Sequence, residues 1–515
     1  MILVQPSLIS LIDRFAAESL GVPMRTLMLR AGQAVADAVR SVSTAGSRVV
    51  VFAGKGNNGG DGYAAALLLM TDYKVLVYDV FSAGQRTDEG KYFLEEYVDA
   101  GGAVENLVWN AKNTALIQDA DCYVDAIFGT GFSGEFPSEV VAVADLFRSQ
   151  SNKKTVAIDV PLGVDASLGS VDTRVAYTAT VTVSLGFVKT GLVSYPARDY
   201  VGKMIYDNIG LQNMDVLSEF EFSEHYIDRD FARAIFPKRK ENSNKGSFGK
   251  LLAIVGSDRF PGAAHLTLEA ALRSGVGLVT HLGDGKLCDR LLLTFPEIIY
   301  KPLAVENIDE SGLDKVSDVA VSHSAVLVGS GSSRSAGLYR IIERLLSTEG
   351  APLILDADAI NVLAEKPEVG RKLLSGARRR VILTPHPLEF ARISELTVDF
   401  VQSHRIEVAR RFAMETGTVL VLKGAATVVT DGRSTYVNSS GSSALAKAGS
   451  GDVLAGVLSS LVASGMDPLS ACALSVYLHG VAADVLSEEF SRFGVTPSDL
   501  PREVARQIAK LEKNN

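Results

Sequence analysis

An α/β fold of two domains, each a largely parallel sheet between helical layers, is what the sequence predicts, and three observations carry it. Short runs of Val, Ile and Leu, each ending in a glycine or acidic turn, alternate with longer helical patterns along most of the chain. Strands that are apolar throughout are those covered on both faces by crossover helices. The alternation lapses once, between about residues 213 and 249, into a charged and polar stretch that includes Phe236-Pro237-Lys238-Arg239-Lys240-Glu241-Asn242. At 515 residues the chain is also longer than one hydrophobic core supports. The expected domains are residues 1–215 and 225–515.

In order, the first domain opens on a helix over 7–20, stopped by Gly21, and a second begun at Pro23, whose fixed φ suits a helix start. Strands follow at 48–52, 74–80, 122–128, 155–160 and 180–185. The second series has strands at 251–255, 276–281, 325–328, 352–356, 381–384, 418–422 and 427–430. The turn motifs of the two halves differ, so they are not copies of one repeat. Ligands of such sheets bind beyond the C-terminal strand ends, and the turns there are where function is expected.

Composition narrows the function classes. Lys plus Arg number 51 and Asp plus Glu 60, a formal charge of −9, with no dense basic block. Such a chain is poorly suited to gripping nucleic acid or an anionic membrane, so small-molecule substrates are expected, with phosphate held locally by backbone amides and single lysines. Cys122, Cys288 and Cys472 lie far apart, which argues against a disulfide framework or a zinc site. No leader and no apolar segment of membrane-spanning length is expected, which points to a cytoplasmic protein. The apolar segment 8–20 is a candidate for packing on a neighbouring subunit of a homo-oligomer.

The first candidate site is Gly54-Lys55-Gly56-Asn57-Asn58-Gly59-Gly60-Asp61-Gly62, read as a loop with positive φ angles ahead of a helix at 63–70 and suited to a pyrophosphate. Two later strand ends can join it. One is Asp125 with Phe128-Gly129-Thr130-Gly131-Phe132-Ser133-Gly134-Glu135; the other is Asp159-Val160-Pro161-Leu162. Asn58 and Asp125 offer hard oxygen ligands for a cation, and Asp159 is a candidate proton carrier. Each aspartate is equally a strand-end cap when taken alone.

Together these motifs resemble the YjeF N-terminal family of NAD(P)H-hydrate epimerases, from the helix of Met28-Leu29-Arg30-Ala31-Gly32 to Lys189 and Asp207-Asn208-Ile209-Gly210. The resemblance implies a Rossmann-like three-layer αβα domain. It implies that Asn57, Asn58, Gly59, Gly60 and Asp61, with Gly129 to Glu135 and Lys189, hold the hydrated nicotinamide nucleotide. Asp159 would be the acid/base, and Asn58, Asp125 and the position of Leu162 would bind potassium. Leu162 stands where that family has Ser or Thr, so an oxygen ligand is missing.

The second candidate site gathers Phe260-Pro261-Gly262-Ala263, Gly329-Ser330-Gly331, Asp356-Ala357-Asp358, His386-Pro387-Leu388-Glu389, Lys423-Gly424-Ala425-Ala426-Thr427 and Gly449-Ser450-Gly451-Asp452. The last ends on a carboxylate just where an apolar helix begins. An anion is favoured there by free amides and the helix dipole, so an aspartate at that point is either an N-cap or a base acting beside a phosphate. This set resembles the ribokinase-like superfamily and, within it, the YjeF C-terminal family of NAD(P)H-hydrate dehydratases, a second αβα domain. By that resemblance Ala263, Gly331, His386 and Asp452 meet the hydrate. Lys423, Gly424, Ala425, Ala426, Thr427 and Gly451 hold ADP or ATP, and Asp452 is the base. From its own chemistry, Glu389 is a candidate to carry Mg2+ through water.

The implied function is nicotinamide nucleotide repair: R and S hydrates are interconverted by the first domain, and the S form is dehydrated by the second at the expense of ADP or ATP. The alternative is a ribokinase-type small-molecule kinase fused to a noncatalytic nucleotide-binding module.

Overall fold

The computed structural model describes residues 1–81, 85–132, 134–212 and 214–513. The chain divides into two compact units, Ile2–Glu224 and His225–Asn515 with Met1.

In the first unit, seven strands form one sheet in the order Ala103–Asn106, Lys74–Asp79, Arg48–Ala53, Cys122–Ala126, Lys154–Ile158, Val181–Leu185, Lys203–Asp207, all parallel. The side-chain period of two sorts the central strand between two cores. Val49, Val51 and Ala53 pack with the helices Met24–Val42 and Asn57–Leu69, while Val50 and Phe52 pack with the helix Ser138–Ser149. The expected three layers result. The strands Ala103–Asn106 and Lys203–Asp207 lie outside the sequence expectation because they are edge strands, polar or half-exposed, and lack the continuous apolar signal.

One local expectation is corrected. The glycine-rich segment is mostly helix, not loop: Asn57–Leu69 begins at Asn57, and none of Gly54, Gly56, Gly59, Gly60 and Gly62 has positive φ. Close approach is what excludes side chains there. A Cβ on Gly59 would lie 2.0 Å from the Gly54 carbonyl oxygen, and one on Gly62 would lie 2.6 Å from Ala126 Cβ. The opening helix, Pro6–Glu18, buries Ile12 and Ala16 within its own unit, and Phe15 meets Phe220 edge-on, while Leu11 stays half exposed.

In the second unit the order is Ile299–Pro302, Leu278–Gly283, Lys250–Ile254, Ala325–Val328, Leu353–Leu355, Val381–Leu383, Val419–Leu422, Val428–Thr430, Thr435–Asn438. Parallel pairing runs as far as Val419–Leu422, and the last two strands are antiparallel. The turn from Lys423 to Thr427 is too short for a crossover, so the chain must return as a hairpin. Leu251 and Ala253 face one core, Leu252 and Ile254 the other. Contrary to expectation, one helix is long and apolar enough to cross a membrane: Pro468–Gly494 has 27 residues and mean hydropathy 1.5 over its most apolar window. That window is 72% buried inside the protein, where the helix packs in the larger core.

Candidate active sites at two sheet switch points

Strand order reverses between Arg48–Ala53 and Cys122–Ala126 in the first unit, and a crevice opens beyond the carboxyl ends of strands at such a point. A cleft of about 600 Å³ lies there, and among its lining residues are Asn57, Asn58, Asp61, Gly129, Thr130, Gly131, Phe132, Asp159 and Lys189. Gly59 and Gly60 are buried behind the lining, Gly134 and Glu135 are exposed and outside it, and Ser133 lies outside the described residues. Gly56 caps the helix Asn57–Leu69, so the first helical amides face the cleft mouth. Phe128 and Phe132 stack with centroids 3.8 Å apart and give the cleft an aromatic wall.

Asp159 is held in a backbone conformation rare for a side-chain-bearing residue, φ +65°. Its Oδ1 accepts from the Lys189 ammonium and from the Leu185 amide. Lys189 is 1% exposed and also donates to the Leu185 carbonyl oxygen at 2.6 Å. Its strand, Val188–Lys189, pairs in parallel with Ile2–Val4. Two further carboxylates share this environment. Burial, opposed by Lys189 and reinforced by Asp159, pushes Asp13 up to about 6. Burial together with Asp159 and Asp13 pushes Asp61 well above the usual carboxylate range. Three carboxylates therefore surround one ammonium. Sequence reasoning missed Asp13; the signal was a carboxylate in line with Ile9 and Ala16, on the stripe that helix Pro6–Glu18 turns inward.

Asp125 is fully buried, and burial pushes it up to about 6 against three donors: the Leu162 amide at 3.0 Å, Tyr177 Oη at 2.9 Å and the Ile127 amide at 3.3 Å. Asn58 donates to the Phe128 carbonyl oxygen at 2.9 Å. The side chain of Leu162 is 2% exposed and packs in the apolar core with Phe52 and Tyr177. Leu162 thus offers no side-chain oxygen, as its residue type implied, so a cation here would have to be held by Asn58 Oδ1, Asp125 and backbone oxygens, and no step is derived through that ion.

In the second unit the order reverses between Lys250–Ile254 and Ala325–Val328, and the turns that follow both strands meet. Gly331, at φ +64°, comes so close to the helix Pro261–Arg273 that a Cβ on it would lie 2.5 Å from Ala263 Cβ. Asp356, gathered into the second candidate set by the sequence but without a role, organises the floor. Its Oδ1 accepts from Lys423 Nζ at 2.9 Å and Thr384 Oγ1 at 2.7 Å, and its Oδ2 from Ser330 Oγ at 2.8 Å. Burial alone would lower Lys423, but Asp356 and Glu389 outweigh it and hold the ammonium above its ordinary value.

Lys423 opens the hairpin turn Gly424-Ala425-Ala426-Thr427, in which Thr427 Oγ1 donates to the Gly424 carbonyl oxygen at 2.9 Å. Buried Arg405 braces that turn from beneath, donating to the Leu422 and Lys423 carbonyl oxygens at 2.9 and 3.1 Å. Opposite stands the start of helix Ser450–Ala463, capped by Gly449 at φ +103°. The Cβ position of Gly451 is 3.5 Å from Lys423 Nζ, so the ammonium and the first free amides address the same space. Asp452 lies in the first turn of that helix. Burial, reinforced by Asp356 and opposed by Lys423, pushes it up to about 7.

His386 and Glu389 close a capping box. His386 Nδ1 accepts from the Leu388 and Glu389 amides, both at 3.2 Å, which leaves the proton on Nε2, 3.2 Å from Glu389 Oε1. Burial, Lys423 and Arg392 lower the imidazole, in keeping with a neutral ring. Glu389 Oε2 accepts from the His386 amide at 2.8 Å. Each Glu389 oxygen keeps one lone pair, enough to hold a water on a magnesium ion but not to enter its coordination sphere.

The family model described as YjeF-related protein N-terminus matches residues 24–191, and that described as NAD(P)H-hydrate dehydratase matches residues 251–506. The bifunctional NAD(P)H-hydrate repair enzyme Nnr of Moorella thermoacetica is 33% identical, over 97% of this chain and 95% of its own. The enzyme of that name from Escherichia coli is 32% identical, over 95% of this chain and 90% of its own. A solved ADP/ATP-dependent NAD(P)H-hydrate dehydratase from Bacillus subtilis, co-crystallized with ATP/Mg2+, is 31% identical over 56% of this chain and 99% of its own, at TM-score 0.49. With both motif sets in place and likeness running nearly end to end, the chain belongs to the family of bifunctional NAD(P)H-hydrate repair enzymes.

Proposed function

We propose that this chain interconverts the R and S hydrates of NADH or NADPH in its first unit and dehydrates the S form in its second, consuming ADP or ATP. The observation that carries the reading is the second crevice, where Asp452 in the first turn of its helix, the amide turn at Gly451 and Lys423 address one space.

A hydrated nicotinamide bears a hydroxyl on a saturated ring carbon next to nitrogen. Hydroxide is a poor leaving group and phosphate a good one. Asp452 accepts the hydroxyl proton as that oxygen attacks the terminal phosphorus of the nucleotide, whose bridging oxygen leaves with the bond pair. Lys423 and the amides of the helix start hold the phosphate charge. Magnesium, bound with the nucleotide and reached from Glu389 through water, supplies further charge neutralisation. The ring nitrogen pair then expels inorganic phosphate, and loss of a proton from the neighbouring carbon restores the double bond. In the first unit, Asp159 moves protons at the carbon bearing the hydroxyl.

Both hydrate epimers are to be supplied with ADP or ATP and Mg2+, and recovery of reduced-nicotinamide absorbance followed beside free phosphate. Asp452→Ala stops all recovery. Asp159→Ala leaves the S epimer's rate intact and slows the R epimer to its spontaneous conversion. Accumulation of a stable phosphoester without free phosphate overturns the lyase reading in favour of a kinase.

A further inference from the structure

The epimerase cleft holds more acid than one proton carrier requires. The carbon that bears the hydroxyl is inverted either by ring opening and reclosure or by breaking its bond to oxygen on one face and making it on the other. The second route needs a proton on the departing side and a proton acceptor on the arriving side. Asp159 suits the accepting role, because the Lys189 ammonium and the Leu185 amide both donate to its Oδ1, which leaves Oδ2 to take a proton.

Asp13 differs in each respect. It reaches the cleft from the helix Pro6–Glu18, a separate element, and lines it together with Ile9 and Ser10. Among the described residues, burial and the charges of Lys189 and Asp159 govern it, with no hydrogen-bond donor fixing its charged form. Asp61, the third carboxyl, is also pushed up, by burial and by Asp159 and Asp13.

We propose that Asp13 is the second proton carrier of the epimerase cleft, giving a proton to the departing hydroxyl on one face of the ring carbon while Asp159 accepts one on the other. This rests on the reading of the first unit as an epimerase. The Asp13 carboxyl protonates the hydroxyl oxygen, and the carbon–oxygen bond breaks with its pair leaving on water. The ring nitrogen pair forms a carbon–nitrogen double bond, and the ring becomes cationic. Water adds to the opposite face, the double-bond pair returns to nitrogen, and the surplus proton passes to the Asp159 carboxylate. One proton has moved from Asp13 to Asp159, and the reverse reaction exchanges their roles. Once Asp13 has given up its proton, its carboxylate and that of Asp159 both stand in the cleft with the cationic ring and favour it, and they disfavour a route through ring opening that would build negative charge.

The test uses the full chain in oxygen-18 water with the R hydrate, reading epimerisation and the incorporation of label at the ring hydroxyl. Dehydration of the S hydrate by the second unit reports that the protein is folded. Asp13→Asn is expected to slow both epimerisation and label exchange at least about 100-fold, while Asp13→Glu restores part of each. Epimerisation by Asp13→Asn within about threefold of the parent overturns the proposal, and so does epimerisation without incorporated label. Asp159→Asn separates the two failures. If it abolishes epimerisation while Asp13→Asn does not, only the role of Asp13 falls; if neither variant matters, the epimerase reading falls with it.

Discussion

Replacing Asp452 by Asn should give a protein that is inactive as a dehydratase yet more stable than the parent at pH 8. The carboxyl is pushed from 3.8 to about 7, first by burial and then by Asp356, with Lys423 only partly opposing. An unfolded chain gives up that proton near 3.8, whereas the folded one keeps it to about 7. Folding therefore takes up a proton between these values, stability falls as pH rises across the window, and the cost is fully present above about 7. The gap corresponds to a ceiling of about 4 kcal/mol, and the partial exposure of the group brings the expected gain in Asp452→Asn to about 1–2 kcal/mol. Denaturant unfolding of both proteins at pH 4 and pH 8 measures it, the gain appearing at pH 8 and being small at pH 4. The same ionisation governs rate. With a base titrating at about 7, the carboxylate fraction goes from about one-tenth at pH 6 to about nine-tenths at pH 8, so parent dehydration rises about tenfold. Loss of the base costs a factor of about 100 to 10,000. A flat rate between pH 6 and 8, or Asp452→Asn retaining most of its turnover, refutes the assignment.

Asp356→Ala removes the partner of a buried ammonium and strands the Ser330 and Thr384 hydroxyls. It should cost about 3–5 kcal/mol in denaturant unfolding and weaken nucleotide binding measured by calorimetry. Gly331→Ala forces a side chain into the left-handed region and against Ala263, so it should lose about 1–2 kcal/mol of stability and raise KM for the S hydrate more than it lowers kcat. Because Leu162 supplies no side-chain oxygen beside Asp125 and Asn58, exchanging potassium for choline should leave epimerisation within about twofold, read by the coupled recovery of absorbance. A loss of about tenfold or more would mean that backbone oxygens build a cation site unaided.

Much of this was legible in the chain. Apolar strands followed by glycine or acidic turns placed both crevices, since a strand buried on both faces must be continuously apolar and its outgoing turn must lie at the sheet's carboxyl edge. Edge strands such as Ala103–Asn106 were not legible, because half their side chains answer to solvent or to local pairing. The helical start at Asn57 was hidden by its glycines, which read as loop by propensity but serve contact with Gly54, Met28 and Ala126. Asp13, and the role though not the place of Asp356, were hidden for another reason. Each looks like an ordinary polar residue at its own position, and its meaning lies in groups contributed from distant parts of the chain: Lys189 and Asp159 for the first, Lys423, Thr384 and Ser330 for the second.

The two lysines show why similar crevices do different chemistry. Lys189 is sealed, with its ammonium bonded to Asp159 and the Leu185 carbonyl oxygen, so it stabilises a carboxylate rather than a ligand. The groups that join Asp159 in the cleft are further carboxyls, Asp13 and Asp61, and the intermediate such a site favours is a cation, as expected where water leaves a carbon beside nitrogen. Lys423 is 17% exposed, is fixed by Asp356 on one side, and stands within reach of the amides at Gly451 on the other. The charge it presents is positive and adjoins a helix start, so the ligand such a site favours is a phosphate. Moving the ammonium from behind the carboxylate to beside the ligand separates an epimerase cleft, which needs only water, from a dehydratase cleft that must convert hydroxide into a better leaving group.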